Sequence, residues 1–515
     1  MITEAEDAAA SITNLSEIQL RATSRRQSSL PLTGKDYRSL IIIGLLSMVQ
    51  GTSLGFCMHS MLVILAEKGI PYASVGVLYI AKSPSSFKFL FAPILDSYYS
   101  KKFGRRKTYL VPIEIILGFF FLYYTFTVED LMNRVDITTI FIVNFSICLL
   151  LAIHNIAVQG LTIYYHGNAH SSFASASQVA GNIIGHALGY FVLVPLSSPY
   201  FCQKFFDSER EVVPIWIFMV GFSVLMFTVA FVVTVFVNED NDEDDLNLDY
   251  ITIARMFKGF IDNKYLRRYI IILLLVRLGY APVESIFEVM LIRNGFQKEY
   301  ITIITSLTLP VPLFFSFLVG KMFKRHNEWT GYMLGQFVHI VCYFYQIWLL
   351  STYNSEMDLT TSLYLLTACY LLIEIGTTTF ATAKNSFDIR ISEKSIEGSY
   401  FTMLSSISRF GESWPVWLIP LFIDDDNFLT VQMIGGAFLI LFWILNWRFL
   451  LKFQKIKKEE LKISQSLGEK FLEMTEDHSI DNEINKNREV QDNRVRTSTS
   501  TQNQTNNIRN NVLNK

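Results

Sequence analysis

Twelve long apolar stretches restrict the fold of this chain more than any other feature of its sequence. Each is long enough to cross a hydrocarbon core of about 30 Å as a helix that rises about 1.5 Å per residue. Strands are excluded because period-two alternation is absent. The sequence therefore predicts an all-α membrane protein. The stretches are residues 39–65, 72–94, 108–127, 137–164, 172–196, 212–237, 267–291, 299–322, 331–351, 359–383, 397–422 and 427–450.

A polar break that contains the acidic run Glu239 to Asp245 divides the stretches into two sets of six. Two sets around one long polar break are typical of transporters built from two similar halves. We predict an N-terminal half at 38–237, a linker at 238–265 and a C-terminal half at 266–451. The polar segments 1–37 and 452–515 show no apolar period, so we expect mostly disordered tails there.

Basic residues are concentrated in alternate loops, which predicts the orientation in the membrane. The loop at 95–107 has the highest density of them, and the loops that alternate with it are poor in Lys and Arg. An even number of spans with this pattern places both tails in the cytosol. Cys202 lies in a polar loop on the opposite side, where we expect it to be free or paired with another chain.

Composition and motifs exclude several functional classes. Hydrophobic residues make up 51% of the chain and charged residues 17%, and the net charge of −2 provides no basic field for nucleic acid. The five cysteines show no metal-binding spacing, so we expect no metal and no cofactor. No catalytic motif and no nucleotide-binding segment is present. We therefore predict a transporter rather than an enzyme, driven by a gradient or by exchange. Whether two copies form a homodimer stays open.

Ionisable and amide side chains at membrane depth are costly and mark candidate sites. Arg277 lies about ten residues into the seventh stretch, so roughly 15 Å deep, and Arg409 lies in the middle of the eleventh. Two cations at depth predict an anionic substrate. Polar residues that we expect to contribute to the same substrate site are Gln50, His154, Asn155, Gln159, Gln178, Asn182 and His186. The last three recur every four residues and predict one polar stripe on the fifth stretch.

Carboxylates at similar depth are candidates for coupling or gating. These are Glu284, Glu374 and Glu412. The alternative is structural pairing, for example of Arg277 with Glu374 or of Arg409 with Glu412, which share one helix face. Lys82 and Lys88 lie in the second stretch, and Lys88 is close enough to the basic loop to extend its amine to the membrane surface.

The loop after the second stretch combines Asp96 with the run FGRRK, and it resembles the signature loop of the major facilitator superfamily. The resemblance implies that Asp96, Arg105 and Arg106 form a cytosolic latch that controls conformational change. In the fifth stretch, Gly181, Gly185 and Gly189 are spaced by four, so we expect another helix to approach closely there.

Two sequence blocks resemble the acetyl-coenzyme A transporters of the endoplasmic reticulum. These are SPSSFKFLFAPILDSYYSKKFGRRKTYLVP at 83–112 and GSYFTMLSSISRFGESWP at 398–415. The resemblance covers most of residues 38–450. It implies a major facilitator fold with 12 transmembrane helices in two six-helix halves. It also implies import of acetyl-coenzyme A from the cytosol into the lumen of the endoplasmic reticulum by alternating access.

One segment departs from that family. Its fourth span usually reads DIAVDG, whereas residues 155–160 here read NIAVQG. Asn155 and Gln159 keep the hydrogen bonding of the carboxylates and lose their charge. Three alternatives to acetyl-coenzyme A transport therefore stay open: another bulky anion such as glutathione disulfide or a peptide conjugate, a non-transporting membrane scaffold or sensor, and an enzyme acting within the membrane.

Overall fold

A computed structural model describes residues 34–100, 102–166, 171–239, 257–308, 310–322, 328–352, 358–391, 397–453 and 455–456. The tails were predicted at 1–37 and 452–515; of these, residues 1–33 and 457–515 lie outside the described part, as does most of the predicted linker, whereas 34–37 and 452–453 belong to helices. The described residues form an all-α protein with helices that can cross a membrane, as the sequence predicted.

Eight of the spans are long and apolar enough to cross a membrane by length and composition. We number all spans in chain order. The continuous ones are the first (Gly34–Glu67), third (Lys107–Arg134), fourth (Ile137–His166), fifth (Ser171–His186, then a π-helical turn at Ala187–Val192 and Leu193–Leu196), sixth (Ile215–Phe236), ninth (Glu328–Thr352), tenth (Leu359–Ile391) and twelfth (Phe428–Phe453).

The other four spans are interrupted or polar, which is why hydropathy alone does not select them. The second consists of Tyr72–Ile80, a 3₁₀ turn at Ser83–Phe87 and Lys88–Ser97. The seventh consists of Lys264–Leu275, a 3₁₀ turn at Val276–Leu278, Ala281–Glu284 and Phe287–Arg293. The eighth is Lys298–Thr308 and Val311–Met322, and the eleventh is Glu397–Leu418.

Prolines coincide with the interruptions. Pro84 lies in the 3₁₀ turn of the second span and Pro282 follows that of the seventh. A proline removes one backbone hydrogen bond and crowds the preceding turn, so it disfavours a continuous α-helix. Broken helices near the middle of the membrane are where transporters commonly bind their substrates. Lys82 immediately precedes the first turn and Arg277 lies within the second.

The first and fifth spans pack backbone to backbone, which confirms the close approach predicted from the glycine spacing. A Cβ atom on Gly181, Gly185 or Gly189 would lie only 2.0 to 2.3 Å from a carbonyl oxygen of the first span. Each span also contains a π-helical turn, Gly55–Ser60 and Ala187–Val192, and Ser60 Oγ donates to the carbonyl of Gly189 at 2.6 Å. Turns of this kind occur frequently at functional sites.

Candidate substrate site between the two halves

Arg409 is exposed although it lies in the middle of the eleventh span. Ser413, one turn later on the same face, has its Oγ 3.4 Å from Ser86 Oγ of the second span. The adjacent ring of Phe410 lies 5.3 Å from that of Phe87. This face of the eleventh span therefore points to the other half rather than to lipid. Within the described residues, the guanidinium of Arg409 makes no hydrogen bond or ion pair.

Two lysines of the first half are within electrostatic range of Arg409. The positive charge of Arg409 acts on both Lys82 and Lys88. Lys82 is exposed beside the break in the second span, and Lys88 begins the next helical segment. The two halves thus bring three cations together, with the carboxylate of Glu412 as the nearby opposite charge. The net positive charge of this cluster favours an anion.

Amides of the first and fourth spans fix the position of Lys88. Its Nζ donates to Asn155 Oδ1 at 2.5 Å, and Gln159 Nε2 donates to the same oxygen at 3.1 Å. Asn155 Nδ2 donates in turn to Gln50 Oε1 at 2.9 Å. Three of the predicted site residues, Gln50, Asn155 and Gln159, therefore come together. Lys88 does not extend to the membrane surface; it belongs to this network.

Arg277 has protein partners instead of an open environment. Its Nη1 lies 2.6 Å from Glu284 Oε1, and the two side chains are only 16% and 22% exposed. His339 Nε2 of the ninth span lies 3.3 Å from the same oxygen. The structure therefore does not place Arg277 and Arg409 as two equivalent free cations. The alternative pair of Arg277 with Glu374 is wrong, because Glu284 takes that place.

The other two carboxylates have different surroundings. Glu412 accepts a hydrogen bond from Ser408 Oγ at 3.1 Å, and its charge also acts on Arg277. No ion pair joins it to Arg409 in the described part of the chain. Glu374 is partly buried on the tenth span and makes no hydrogen bond or ion pair with a described residue. Roles of Glu284, Glu374 and Glu412 in coupling or gating stay predictions.

The predicted stripe on the fifth span is divided among different neighbours. Gln178 Nε2 donates to Thr162 Oγ1 of the fourth span at 2.6 Å. The ring of His186 lies 4.9 Å from the ring of His59 on the first span, and its Nδ1 is buried without a partner among the described residues. Asn182 is partly buried, and its backbone contacts Gly51. The charge of Lys82 acts on His186, so this histidine lies within electrostatic range of the cation cluster.

His154 lies in the packed interior of the first half. Its Nε2 is 2.8 Å from Glu114 Oε1 of the third span, and both side chains are 0% exposed. Contact between His154 and a substrate, which the sequence predicted, does not fit this position. Charged or polar groups at such depth require a partner, and Glu114 supplies it.

The basic loop after the second span binds the end of the sixth span. The backbone N–H of Arg106 donates to Glu239 Oε2 at 2.8 Å, and Lys107 Nζ donates to the carbonyl of Val237 at 3.1 Å. The guanidinium of Arg105 lies 5.8 Å from the ring centre of Tyr99. Asp96 belongs to the helical segment Lys88–Ser97, but its side chain lies outside the described residues. The latch role of Asp96, Arg105 and Arg106 stays a prediction.

The two halves are joined at the end opposite this loop. Lys298, at the start of the eighth span, forms an ion pair with Glu67 at the end of the first. The guanidinium of Arg293 lies 4.1 Å from the ring centre of Tyr72 and forms an ion pair with Asp425 at 2.8 Å. These charged contacts close the interface on the side of residues 68–71 and 294–297.

Hydrogen bonds from the loop between the fifth and sixth spans strengthen the same closed end. Lys204 Nζ donates to Tyr300 OH at 2.6 Å, and Ser198 Oγ donates to Glu299 Oε1. The bond to Tyr300 raises the pKa of Lys204, so this amine stays charged at neutral pH. Hydrogen bonds and ion pairs between the halves, as far as the structure describes them, lie at this end or at the middle.

Cys202 is buried, although the sequence predicted a polar loop around it. It lies in the short helix Pro199–Phe206, is 0% exposed and is a free thiol. The backbone N–H of Val212 is 3.3 Å from its sulfur. Burial inside this folded loop leaves no surface for pairing with another chain.

Comparison with known proteins decides the family. The family described as acetyl-coenzyme A transporter 1 matches residues 39–252 and 327–437, which is more than half of the chain. The chain belongs to the acetyl-coenzyme A transporter family. An uncharacterized protein of Schizosaccharomyces pombe is 25% identical over 84% of this chain and 82% of its own length. An uncharacterized membrane protein of Saccharomyces cerevisiae is 20% identical over 79% and 86%.

Solved structures of transporters confirm the major facilitator fold predicted from the sequence. The nucleoside transporter NupG aligns with a TM-score of 0.56 over 82% of this chain and 100% of its own, at 14% identity. A D-xylose-proton symporter aligns with a TM-score of 0.51 over 83% and 98%, at 13% identity. Family and fold together make this protein a multi-pass membrane transporter, which implies a small-molecule substrate and a surrounding lipid bilayer.

Sequence reasoning missed part of this site. Lys82 and Lys88 were visible in the apolar second stretch, and both lie in or next to the block at 83–112 that resembles the family. Their depth was the available signal, because a lysine amine within a span is costly wherever it has no partner. His59 and His339 lay in apolar segments without a distinguishing pattern, and only the neighbouring spans reveal what they contact.

Proposed function

We propose that this transporter carries acetyl-coenzyme A from the cytosol into the lumen of the endoplasmic reticulum by alternating access. The observation that supports it is the exposed Arg409, which has no described partner and shares its surroundings with Lys82 and Lys88 of the other half. The phosphate groups of acetyl-coenzyme A are suitable partners for this cluster, because charge-assisted hydrogen bonds to phosphate are strong.

The arrangement of the halves supports alternating access. The described contacts between them are concentrated at one end, where Lys298 pairs with Glu67, and the cations lie nearer the middle. With the orientation expected from the basic loops, the closed end faces the lumen and the opening faces the cytosol. An anion bound between Arg409 and Lys88 would contact both halves at once, and its binding energy can then drive their rearrangement.

The amides adjust the site for its cargo. Asn155 and Gln159 replace the two carboxylates usual in the family, so this network adds no negative charge beside Lys88. Without these two carboxylates the space between the halves is more positive than in other family members, which favours a polyanion. Another bulky anion, such as glutathione disulfide, would meet the same positive charge, and competition experiments separate the two.

Uptake of labelled acetyl-coenzyme A into proteoliposomes tests the proposal. Arg409→Ala and Lys88→Ala remove one cation each, and a hydrogen bond to a charged group contributes about 1.5–3 kcal/mol. We therefore expect apparent affinity to fall roughly 10- to 100-fold. Arg210→Ala, in an exposed loop, is the matched control and should leave uptake unchanged.

Two results would contradict the proposal. Normal uptake by both Arg409→Ala and Lys88→Ala would show that the cation cluster does not bind the cargo. Failure of excess free coenzyme A to inhibit wild-type uptake, combined with inhibition by glutathione disulfide, would assign the site to the alternative cargo.

A further inference from the structure

Glu288 is a membrane-embedded carboxyl group that does not belong to the substrate site described above. It lies one turn after Glu284 on the seventh span, in the segment Phe287–Arg293, and is partly buried. Tyr370 OH of the tenth span donates to Glu288 Oε1 at 3.1 Å. No lysine, arginine or histidine among the described residues forms an ion pair with it. Glu284, by contrast, is paired with Arg277.

The surroundings of Glu288 come from both halves of the protein. Its charge acts on Tyr79 of the second span and on Tyr190 of the fifth, as well as on its hydrogen-bonded neighbour Tyr370. Glu284, on the same span as Glu288, also acts electrostatically on Tyr79. Glu288 thus has one hydrogen-bonded phenol from its own half, Tyr370, and lies within electrostatic range of two phenols of the other half.

A carboxylate without a cation is costly at this depth, and a protonated carboxyl is much less so. A phenol can donate to the carboxylate or accept from the protonated acid, so the tyrosines accommodate both forms. The position is also suitable for gating. Glu288 precedes by five residues Arg293, which belongs to the closed end, so opening of that end would bring water to the carboxyl from the opposite side of the membrane.

We propose that Glu288 is the proton-binding group that couples transport to a proton gradient, with the proton and the anionic cargo carried in the same direction. The inference rests on the proposed function, because an anion at Arg409 and Lys88 adds negative charge to the opening. Negative charge near a carboxyl favours its protonation, and linkage requires that the proton favour the anion equally. Cargo and proton therefore bind together.

Proteoliposomes with a clamped membrane potential test the coupling. An inward proton gradient of about one pH unit should accumulate acetyl-coenzyme A roughly tenfold in the wild type, if one proton moves per cycle. Glu288→Gln mimics the protonated acid, so it should lose this accumulation and keep exchange of internal for external acetyl-coenzyme A. Glu129→Gln removes an exposed carboxylate at the end of the third span and should behave like the wild type. Tyr370→Phe should shift the pH profile of uptake and retain exchange.

The outcomes are distinguishable. Accumulation that persists in Glu288→Gln, or that is lost instead in Glu374→Gln, overturns the assignment of Glu288. Exchange without any response of the wild type to the gradient overturns proton coupling and leaves the proposed function intact. Absence of both binding and exchange of acetyl-coenzyme A in the wild type overturns the proposed function, and the coupling inference with it.

Discussion

Gly185→Ala should destabilise the packing of the first and fifth spans. A Cβ atom at this position would lie 2.0 Å from the carbonyl oxygen of Met48 and 2.7 Å from the backbone nitrogen of Thr52. Carbon–oxygen contacts normally measure about 3.3–3.6 Å, so the two helices would have to separate by more than roughly 1 Å. Both clashing atoms belong to the backbone, so no change of rotamer relieves the contact.

The size of the effect follows from what such a separation disrupts. Overpacking a well-packed interior costs typically about 1–3 kcal/mol. We expect the upper end here, because Gly181 and Gly189 make equally close contacts on the same pair of helices and would lose them together. Gly221→Ala on the sixth span is the matched control, since nothing lies within 4 Å of its added Cβ atom. Alanine should stabilise that helix by about 0.8–1 kcal/mol.

Thermal unfolding of the purified variants in detergent measures the difference. The midpoint should fall for Gly185→Ala and stay constant or rise for Gly221→Ala. Equal midpoints for the two variants would refute the backbone-to-backbone contact of the first and fifth spans. If Gly185→Ala lowers the unfolding midpoint only slightly and transport stays normal, the close contact stands and only the expected magnitude of about 3 kcal/mol is refuted.

Two further predictions concern the two opposite ends of the helix bundle, the basic loop and the closed end. Glu239→Ala removes the acceptor for the backbone N–H of Arg106 at the start of the third span, so we expect a loss of about 0.5–2 kcal/mol in unfolding free energy; an unchanged unfolding midpoint would contradict it. Lys298→Ala breaks the ion pair with Glu67, whose side chain is 52% exposed, so it should shift the conformational equilibrium by no more than about 1 kcal/mol. Faster labelling of a Tyr79→Cys variant by an impermeant maleimide, added on the side of residues 68–71, checks the shift, and an unchanged rate would argue against a gating role for the pair.

Much of the fold was predictable because membrane spans have a strong local signal. The third, fourth and tenth stretches begin within one residue of the helices that form. The breaks in the second and seventh spans were not predicted, although Pro84 and Pro282 mark them. A span that is interrupted by proline still has the composition of an apolar stretch, so composition does not distinguish it from a continuous helix.

The candidate site was predictable only in part, for a different physical reason. Depth in the membrane follows from position in the chain, so Arg277, Arg409 and Asn155 were correctly recognised as unusual residues. Whether each of them is paired depends on its neighbours from other spans. Arg277 is paired with Glu284, which also contacts His339. Arg409 has no described partner and lies within electrostatic range of Lys82 and Lys88.

The sequence by itself determined the class of fold, the two sets of six spans and the close approach at the glycines of the fifth span, because hydropathy and helical period are properties of one segment at a time. The tertiary structure decided which polar groups meet. His154 was placed against Glu114, Lys88 against Asn155, and Glu288 against Tyr370. These pairs join residues 40, 67 and 82 positions apart. Their formation depends on the rotation and neighbours of each helix, which no single stretch of sequence encodes.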